Sequence, residues 1–162
     1  MIEYYYIIFG LLKGEVFMKI AIASDHGGYE LKEEITMLLK EMNVSFKDFG
    51  VHENKSVDYP EYAFEVGNEV ACGNFDRGIL ICGTGVGISI AANKVKGVRC
   101  ALVHDVFTAK ATREHNDSNV LAMGGRVIGV ELAKEIVRTW LKTDFIGAHH
   151  EARINKISQY EA

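Results

Sequence analysis

The chain has 162 residues, 48% of them apolar and 25% charged, with a single proline, which is enough apolar material for one packed domain and excludes disordered and fibrous classes. Its 18 Lys and Arg stand against 22 Asp and Glu, a net charge of −4 without a long run of either sign, which argues against a nucleic-acid partner. Three cysteines, Cys72, Cys82 and Cys100, lack a CxxC spacing, so a reducing, cytoplasmic setting is expected, with neither a disulfide framework nor a structural zinc site.

Residues 1–17 read MIEYYYIIFGLLKGEVF. The apolar run from Tyr4 to Leu12 is too short to span a bilayer. Glu3 and the lack of a small-residue cleavage site argue against a signal peptide, so no membrane partner is expected. Met18 opens a clean strand, and Lys13-Gly14-Glu15 can be encoded by a ribosome-binding sequence. Translation is therefore expected to start at Met18, with 1–17 an upstream extension and 18–162 a single domain. The competing reading is an apolar strand or helix packed on the body or on a partner.

Strands and helices then alternate. Lys19 to Ser24 is a strand that stops at Asp25-His26-Gly27-Gly28. Leu31, Ile35, Leu38, Leu39 and Met42 form the stripe of an amphipathic helix. Val44 to Phe49 is a second strand, and Asp58-Tyr59-Pro60 opens a helix with Ala63, Val66, Gly67 and Val70 inward. Gly78 to Cys82 is nearly all apolar, as suits a parallel strand covered on both faces. A helix over Gly85–Val95, a strand over Val98–Val103, a helix over Asp105–Glu114 and a strand over Asn119–Met123 follow. Val130, Ala133, Val137, Trp140 and Leu141 line the next helix, and a last one covers about His149 to Ser158. The pattern predicts a three-layer α/β/α Rossmann-like sandwich on a five-stranded parallel sheet.

Ligands of such sheets bind beyond the carboxyl ends of the strands. Asp25-His26, Cys82-Gly83-Thr84-Gly85, His104-Asp105 and Gly124-Gly125-Arg126 all follow strand ends, a concentration that favours an enzyme over a binding module. In Cys82-Gly83-Thr84-Gly85-Val86-Gly87-Ile88-Ser89, three glycines in five positions let backbone N–H groups turn toward an anion at a helix start. The dinucleotide fingerprint fails at Ile88, and the phosphate-loop motif is absent. The bland alternative is a loop whose glycines only allow close packing. A thiol facing a helix N-terminus is favoured as thiolate, however, and a thiolate serves as nucleophile or general base. Cys72, ending a helix, and Cys100, within an apolar strand, are read as packing residues.

Other polar residues divide less cleanly. Asp25 is a candidate functional carboxylate or a helix N-cap. His115 shares a helix face with Phe107 and Ala111, expected to be buried, and is followed by Asn116-Asp117. Arg126 is an anion ligand or a surface ion pair. His149, His150 and Arg153 form a basic group on the last helix, and no paired-histidine motif supports a metal.

Together, the Cys82–Ser89 segment, Ser24-Asp25-His26-Gly27-Gly28, Asp58-Tyr59-Pro60 and Arg113-Glu114-His115-Asn116-Asp117 resemble the B-type ribose-5-phosphate isomerases, in order from Met18 to Ile157. The resemblance implies interconversion of ribose 5-phosphate and ribulose 5-phosphate without metal or cofactor. It also implies a homodimer or tetramer with active sites at the subunit interface. Cys82 matches the base that moves a proton between C1 and C2 through an enediolate. Amides of Gly83, Thr84, Gly85, Val86 and Gly87 match an oxyanion cradle, with the Thr84 side chain and Asn116 nearby. His115 with Asp25 matches the ring-opening pair, and Tyr59 a residue beside the sugar. His26 and Arg126 match phosphate ligands of one subunit, while His150 and Arg153 on the last helix match ligands from its partner.

Just before His150 the family commonly has arginine, and here His149 stands there. Imidazole charge varies near neutral pH, so phosphate affinity is expected to depend more on pH. The substrate alternative is a six-carbon sugar phosphate such as allose 6-phosphate. Two other classes remain: a phosphate- or nucleotide-binding module, which needs no Cys82, and a thiol-dependent hydrolase or transferase, which forms a covalent adduct there.

Overall fold

A computed structural model describes residues 18–161. The reading of 1–17 as an upstream extension lies outside these residues. Strands β1 (Lys19–Ser24), β2 (Ser45–Asp48), β3 (Arg77–Cys82), β4 (Cys100–Leu102) and β5 (Val120–Gly124) alternate with helices α1 (Tyr29–Glu41), α2 (Tyr59–Ala71), α3 (Val86–Ala92), α4 (Val106–Asn116) and α5 (Val130–Lys142). Helix α6 (His149–Tyr160) follows α5 directly. The sheet is five-stranded and wholly parallel, in the order β2-β1-β3-β5-β4.

That order decides the faces. The chain moves outward from β1 to β2 and returns past β1 to β3, so right-handed crossovers put α1 and α2 on opposite faces. The move from β3 to β4 and back to β5 does the same for α3 and α4. One core layer accordingly joins Leu31 and Ile35 of α1, Ala109 of α4 and Ile136 and Trp140 of α5 to Ile20, Ile22 and Ile79. The other joins Ala63 and Val66 of α2 and Ile88 of α3 to Ala21, Ala23 and Leu80. Each of these large aliphatic side chains contributes about 1.5–3 kcal/mol by leaving water. Trp140 is fully buried and donates from Nε1 to Ser118 Oγ at 2.8 Å.

Some predicted spans shorten. The helix expected over Gly85–Val95 ends at Ala92, because Asn93 turns its side-chain amide to the edge strand. Its Nδ2 donates to Cys100 O and its Oδ1 accepts from Cys100 N, both at 2.8 Å. Strand β4 keeps only Cys100–Leu102 of the expected Val98–Val103. Val130 is exposed at the start of α5, whereas Ile136 joins that helix's buried stripe. Cys72 caps α2 in an exposed position and is not packed as expected. Cys100 is half-buried, and desolvation pushes its thiol up to about 12.

Candidate active site

Strand β3 is the one from which the connections of both neighbours diverge to the opposite face, which makes its carboxyl end the position where doubly wound sheets take ligands. Cys82, 4% exposed, ends that strand. Its Sγ accepts a hydrogen bond from Gly85 N–H at 3.1 Å. Gly85 has φ +78°, the left-handed region that turns the amide back toward the sulfur; a Cβ there would lie 2.5 Å from Leu102 Cδ1. The amides of Gly83, Thr84 and Gly87 donate to no acceptor among the described residues, and Val86 N–H turns to Thr84 Oγ1 at 3.3 Å. Donors with free valence thus lie in the same short loop as the thiol.

Three loops interlock around it. Gly125 N–H donates to Cys82 O at 2.8 Å and Arg126 N–H to Gly83 O at 3.0 Å. A Cβ on Gly125 would lie 2.8 Å from Gly27 O, and one on Gly27 would lie 2.9 Å from Gly83 N. These contacts bear out the close approach that Gly27-Gly28 suggests in the sequence and give Gly125 a like role that sequence reasoning did not assign, though its pairing with Gly124 signals it. The Arg126 side chain crosses Gly83, and a Cβ there would lie 3.3 Å from its Nη1. It makes no ion pair among the described residues, so the surface-ion-pair reading falls away.

Asp25 is buried, and its Oδ1 accepts from Gly28 N–H at 3.1 Å. It closes a turn before α1 rather than capping the helix, whose N-cap is Gly28. The N-cap alternative for Asp25 is therefore corrected. His26 Nδ1 accepts from Val57 N–H at 3.4 Å, which leaves its proton on Nε2, available as a donor. The Tyr59 ring lies against Gly87, where a Cβ would come 2.6 Å from Cζ. Asp25, His26, Tyr59, Cys82 to Gly87 and Arg126 thus come together on the carboxyl edge.

His115, Asn116, His150 and Arg153 do not join them. Helix α4 runs from the carboxyl end of β4 back to the amino end of β5, so its last residues lie at the opposite edge. Arg99, just before β4, donates from Nε to Asn116 O at 3.2 Å and to Asp117 O at 3.0 Å. Strand β3 has six residues, so the two edges are roughly 17 Å apart. The expected adjacency of His115 to Asp25, and of Asn116 to the Cys82 loop, does not occur within one chain. The expected burial of the Phe107, Ala111 and His115 face is also corrected. Phe107 is 78% exposed, His115 is exposed, and the buried positions of α4 are Ala109 and Arg113. Arg113 hides this phase from sequence reading: a charged residue lies inward because its Nη1 donates to Ser118 O at 2.6 Å.

The second cluster is well formed. His115 and His150 stack with centroids 4.4 Å apart, and His149 lies 4.0 Å from His150. Arg153 Nη1 sits 3.4 Å from His150 Nδ1. Burial, followed by the nearby His149, His115 and Arg153, holds the His150 ring below the ordinary imidazole value. His115, His149 and Arg153 are exposed around the buried His150, and Asn116, next to His115, lines a cavity of about 470 Å³ together with Arg99 and Ser118.

Doubly wound topology, a thiol at the switch point and two separated groups of basic and polar side chains define an α/β domain of the kind that takes small ligands at its sheet edge. Residues 20–157 match the model of the Ribose/Galactose Isomerase family, and the chain belongs to that family as a sugar phosphate isomerase of the ribose-5-phosphate isomerase B type. It is 61% identical over 145 residues to a putative sugar phosphate isomerase of Bacillus subtilis, across 89% of this chain and 97% of that one. It is 49% identical to ribose-5-phosphate isomerase B of Escherichia coli, with 88% and 96% covered. A D-erythrulose-4-phosphate isomerase of Pectobacterium atrosepticum is 39% identical, with 89% and 95% covered. The structure of Clostridium thermocellum ribose-5-phosphate isomerase B superimposes with a TM-score of 0.88 at 54% identity, covering 89% of this chain and 97% of that one.

Proposed function

We propose that the protein interconverts D-ribose 5-phosphate and D-ribulose 5-phosphate at sites shared between two subunits. The observation that carries this reading is the Cys82 thiol, held by Gly85 N–H beside the free amides of Gly83, Thr84 and Gly87. As general base, the Cys82 thiolate takes the proton from C2 of the open-chain aldose and returns it to C1 of the enediolate. The free amides, with the Thr84 hydroxyl, stabilise the enediolate oxygens as charge develops there. Removal of one preorganised donor from such a set typically costs about 2.7–4 kcal/mol of transition-state stabilisation.

Ring opening and phosphate binding use both edges. Asp25, His26, Tyr59 and Arg126 belong to the subunit that carries the thiol. His115, Asn116, His150 and Arg153 lie a strand length away in the same chain, so they serve a second subunit's thiol. In this reading α6 presents its basic face to the partner, and the homodimer is the smallest active unit. The second subunit's His115 then faces Asp25 as the ring-opening pair. A pentose phosphate is favoured by the names of the Escherichia coli and Clostridium thermocellum relatives. The Pectobacterium relative, named for a four-carbon phosphate, keeps a different chain length as the second reading.

The test is formation of ribulose 5-phosphate from ribose 5-phosphate in EDTA, with Cys82→Ala as control. Turnover that survives EDTA and collapses in the variant supports reaction and base together. Turnover in both proteins removes the base from Cys82. Absence of turnover in either directs the assay to erythrulose 4-phosphate and allose 6-phosphate.

A further inference from the structure

Lys32 is the one lysine among the described residues that is wholly buried; it lies in the second turn of α1, outside both clusters described above. An ammonium group taken out of water costs several kcal/mol unless it is paired and hydrogen-bonded. Here its Nζ contacts Asp48 Oδ2, lies 3.3 Å from Glu33 Oε1 and stands 5.6 Å over the Tyr29 ring. Asp48 is the last residue of β2, and its other oxygen, Oδ1, accepts from Gly50 N–H at 2.9 Å. One carboxylate therefore ties helix α1 to the turn after β2.

That turn holds the end of β1. Ser24 N–H donates to Gly50 O at 2.7 Å, and Val51 N–H donates to Ser24 O at 2.9 Å. Ser24 is followed by Asp25 and His26. The same loop continues to Val57, whose N–H meets His26 Nδ1, and to Tyr59 at the start of α2. Gly50 has φ +112°, and a Cβ there would lie 3.0 Å from Tyr62 Cε1, so the turn packs closely on α2 through a glycine.

We propose that Lys32 is a positioning residue. Through Asp48 and the Gly50 turn it fixes the segment that carries Asp25, His26 and Tyr59. The proposal rests on the isomerase reading for its effect on turnover, while its effect on the loop stands without it. A displacement of about 1 Å in such groups is enough to lower turnover up to a hundredfold.

The experiment combines steady-state kinetics on ribose 5-phosphate with amide hydrogen exchange, on the full chain. Lys32→Met is expected to unfold cooperatively, to exchange faster within 48–57 and 24–28, and to lose about tenfold in kcat/KM. Should Lys32→Met fail to fold, the pair Asp48→Ala and Asp48→Asn decides. Asparagine retains an acceptor for Gly50 N–H but not the charge that pairs with Lys32, so it should lose protection and turnover much as alanine does, and recovery in asparagine overturns the role of Lys32. Wild-type exchange and wild-type kcat/KM in folded Lys32→Met, or in Asp48→Ala, overturn the proposal. Absence of turnover in the wild-type enzyme instead overturns the substrate reading, and the exchange data still judge Lys32.

Discussion

The imidazole of His150 lies 4.4 Å from that of His115 and 13° from parallel, which joins the start of α6 to the end of α4 at the amino edge of the sheet. Unprotonated rings stack favourably; two protonated ones repel. Burial and the basic neighbours His149, His115 and Arg153 hold the His150 ring below its ordinary value of 6.5. Above pH 6.5 the ring is neutral whether the chain is folded or unfolded, so stability is unaffected. As pH falls below 6.5, the unfolded chain takes the proton first, and stability drops until the folded ring titrates as well. Melting temperatures should therefore fall between pH 7 and pH 5 by more in the wild-type protein than in His150→Gln. Equal slopes in the two proteins contradict the assignment.

An anion reverses the preference, because a bound phosphate draws protons onto the same rings. KM for the sugar phosphate should rise from pH 6 to pH 8. His149→Arg supplies a permanent charge at that end of α6 and should flatten the rise. An unchanged pH profile in His149→Arg removes His149 from the site.

Sharing of sites between subunits can be read by complementation. Cys82→Ala and His115→Ala should each be nearly inactive as homodimers. Unfolded together and refolded as a mixture, they should recover about a quarter of wild-type activity, because half the molecules are mixed and each of those holds one intact site. Recovery of nothing, from variants that separately refold, assigns both residues to one chain's site.

Gly87→Ala tests the contact between α2 and α3. The added methyl would lie 2.6 Å from Tyr59 Cζ, and the partly exposed phenol swings outward to avoid it. The expected result is a KM increase of about tenfold or less with a melting temperature close to wild type. The KM effect should vanish in a Tyr59→Ala background, since the two residues are in contact and their effects are not additive.

Gly85→Ala is expected to be more damaging. Its backbone occupies the left-handed region at φ +78°, which costs a non-glycine residue roughly 1–2 kcal/mol. The methyl would also sit 2.8 Å from Met123 C, an atom that cannot move aside. Relief of that contact shifts the Gly85 amide away from Cys82 Sγ, so kcat and melting temperature should fall together. A fall in melting temperature alone, with kcat intact, shows that this hydrogen bond is dispensable for turnover.

The thiols should also separate by reactivity. With the Cys100 thiol pushed up to about 12, almost none is ionised at pH 8, whereas Cys72 is exposed. Brief treatment of the native protein with iodoacetamide, followed by peptide mass spectrometry, should find Cys72 alkylated and Cys100 free.

Much of the fold was legible because its central strands are buried on both faces and write themselves as apolar runs: β1, β3 and β5 are apolar nearly throughout. The loop residues that follow them were legible for the same reason, since each strand end marks a point on one edge. Strand order was not, because nothing local in β5 says that it inserts between β3 and β4. His115 and Asn116 were placed at the wrong edge for a different reason, whereas His150 and Arg153 were expected from the start to serve a partner. A helix returns its last residues to the far edge, so His115 and Asn116, close to the next strand in sequence, belong to the opposite end of the domain. The phase of α4 failed for another reason, namely that Arg113 is inward and Phe107 outward, the reverse of their hydropathy.

The side-chain amide of Asn93 occupies both the N–H and the C=O of Cys100, as a neighbouring strand would. Strand β4 has three residues, and this amide plug leaves it little free backbone to offer another chain. Along this margin the sheet is a finished object: its edge offers little template for another chain to extend it into one longer ribbon.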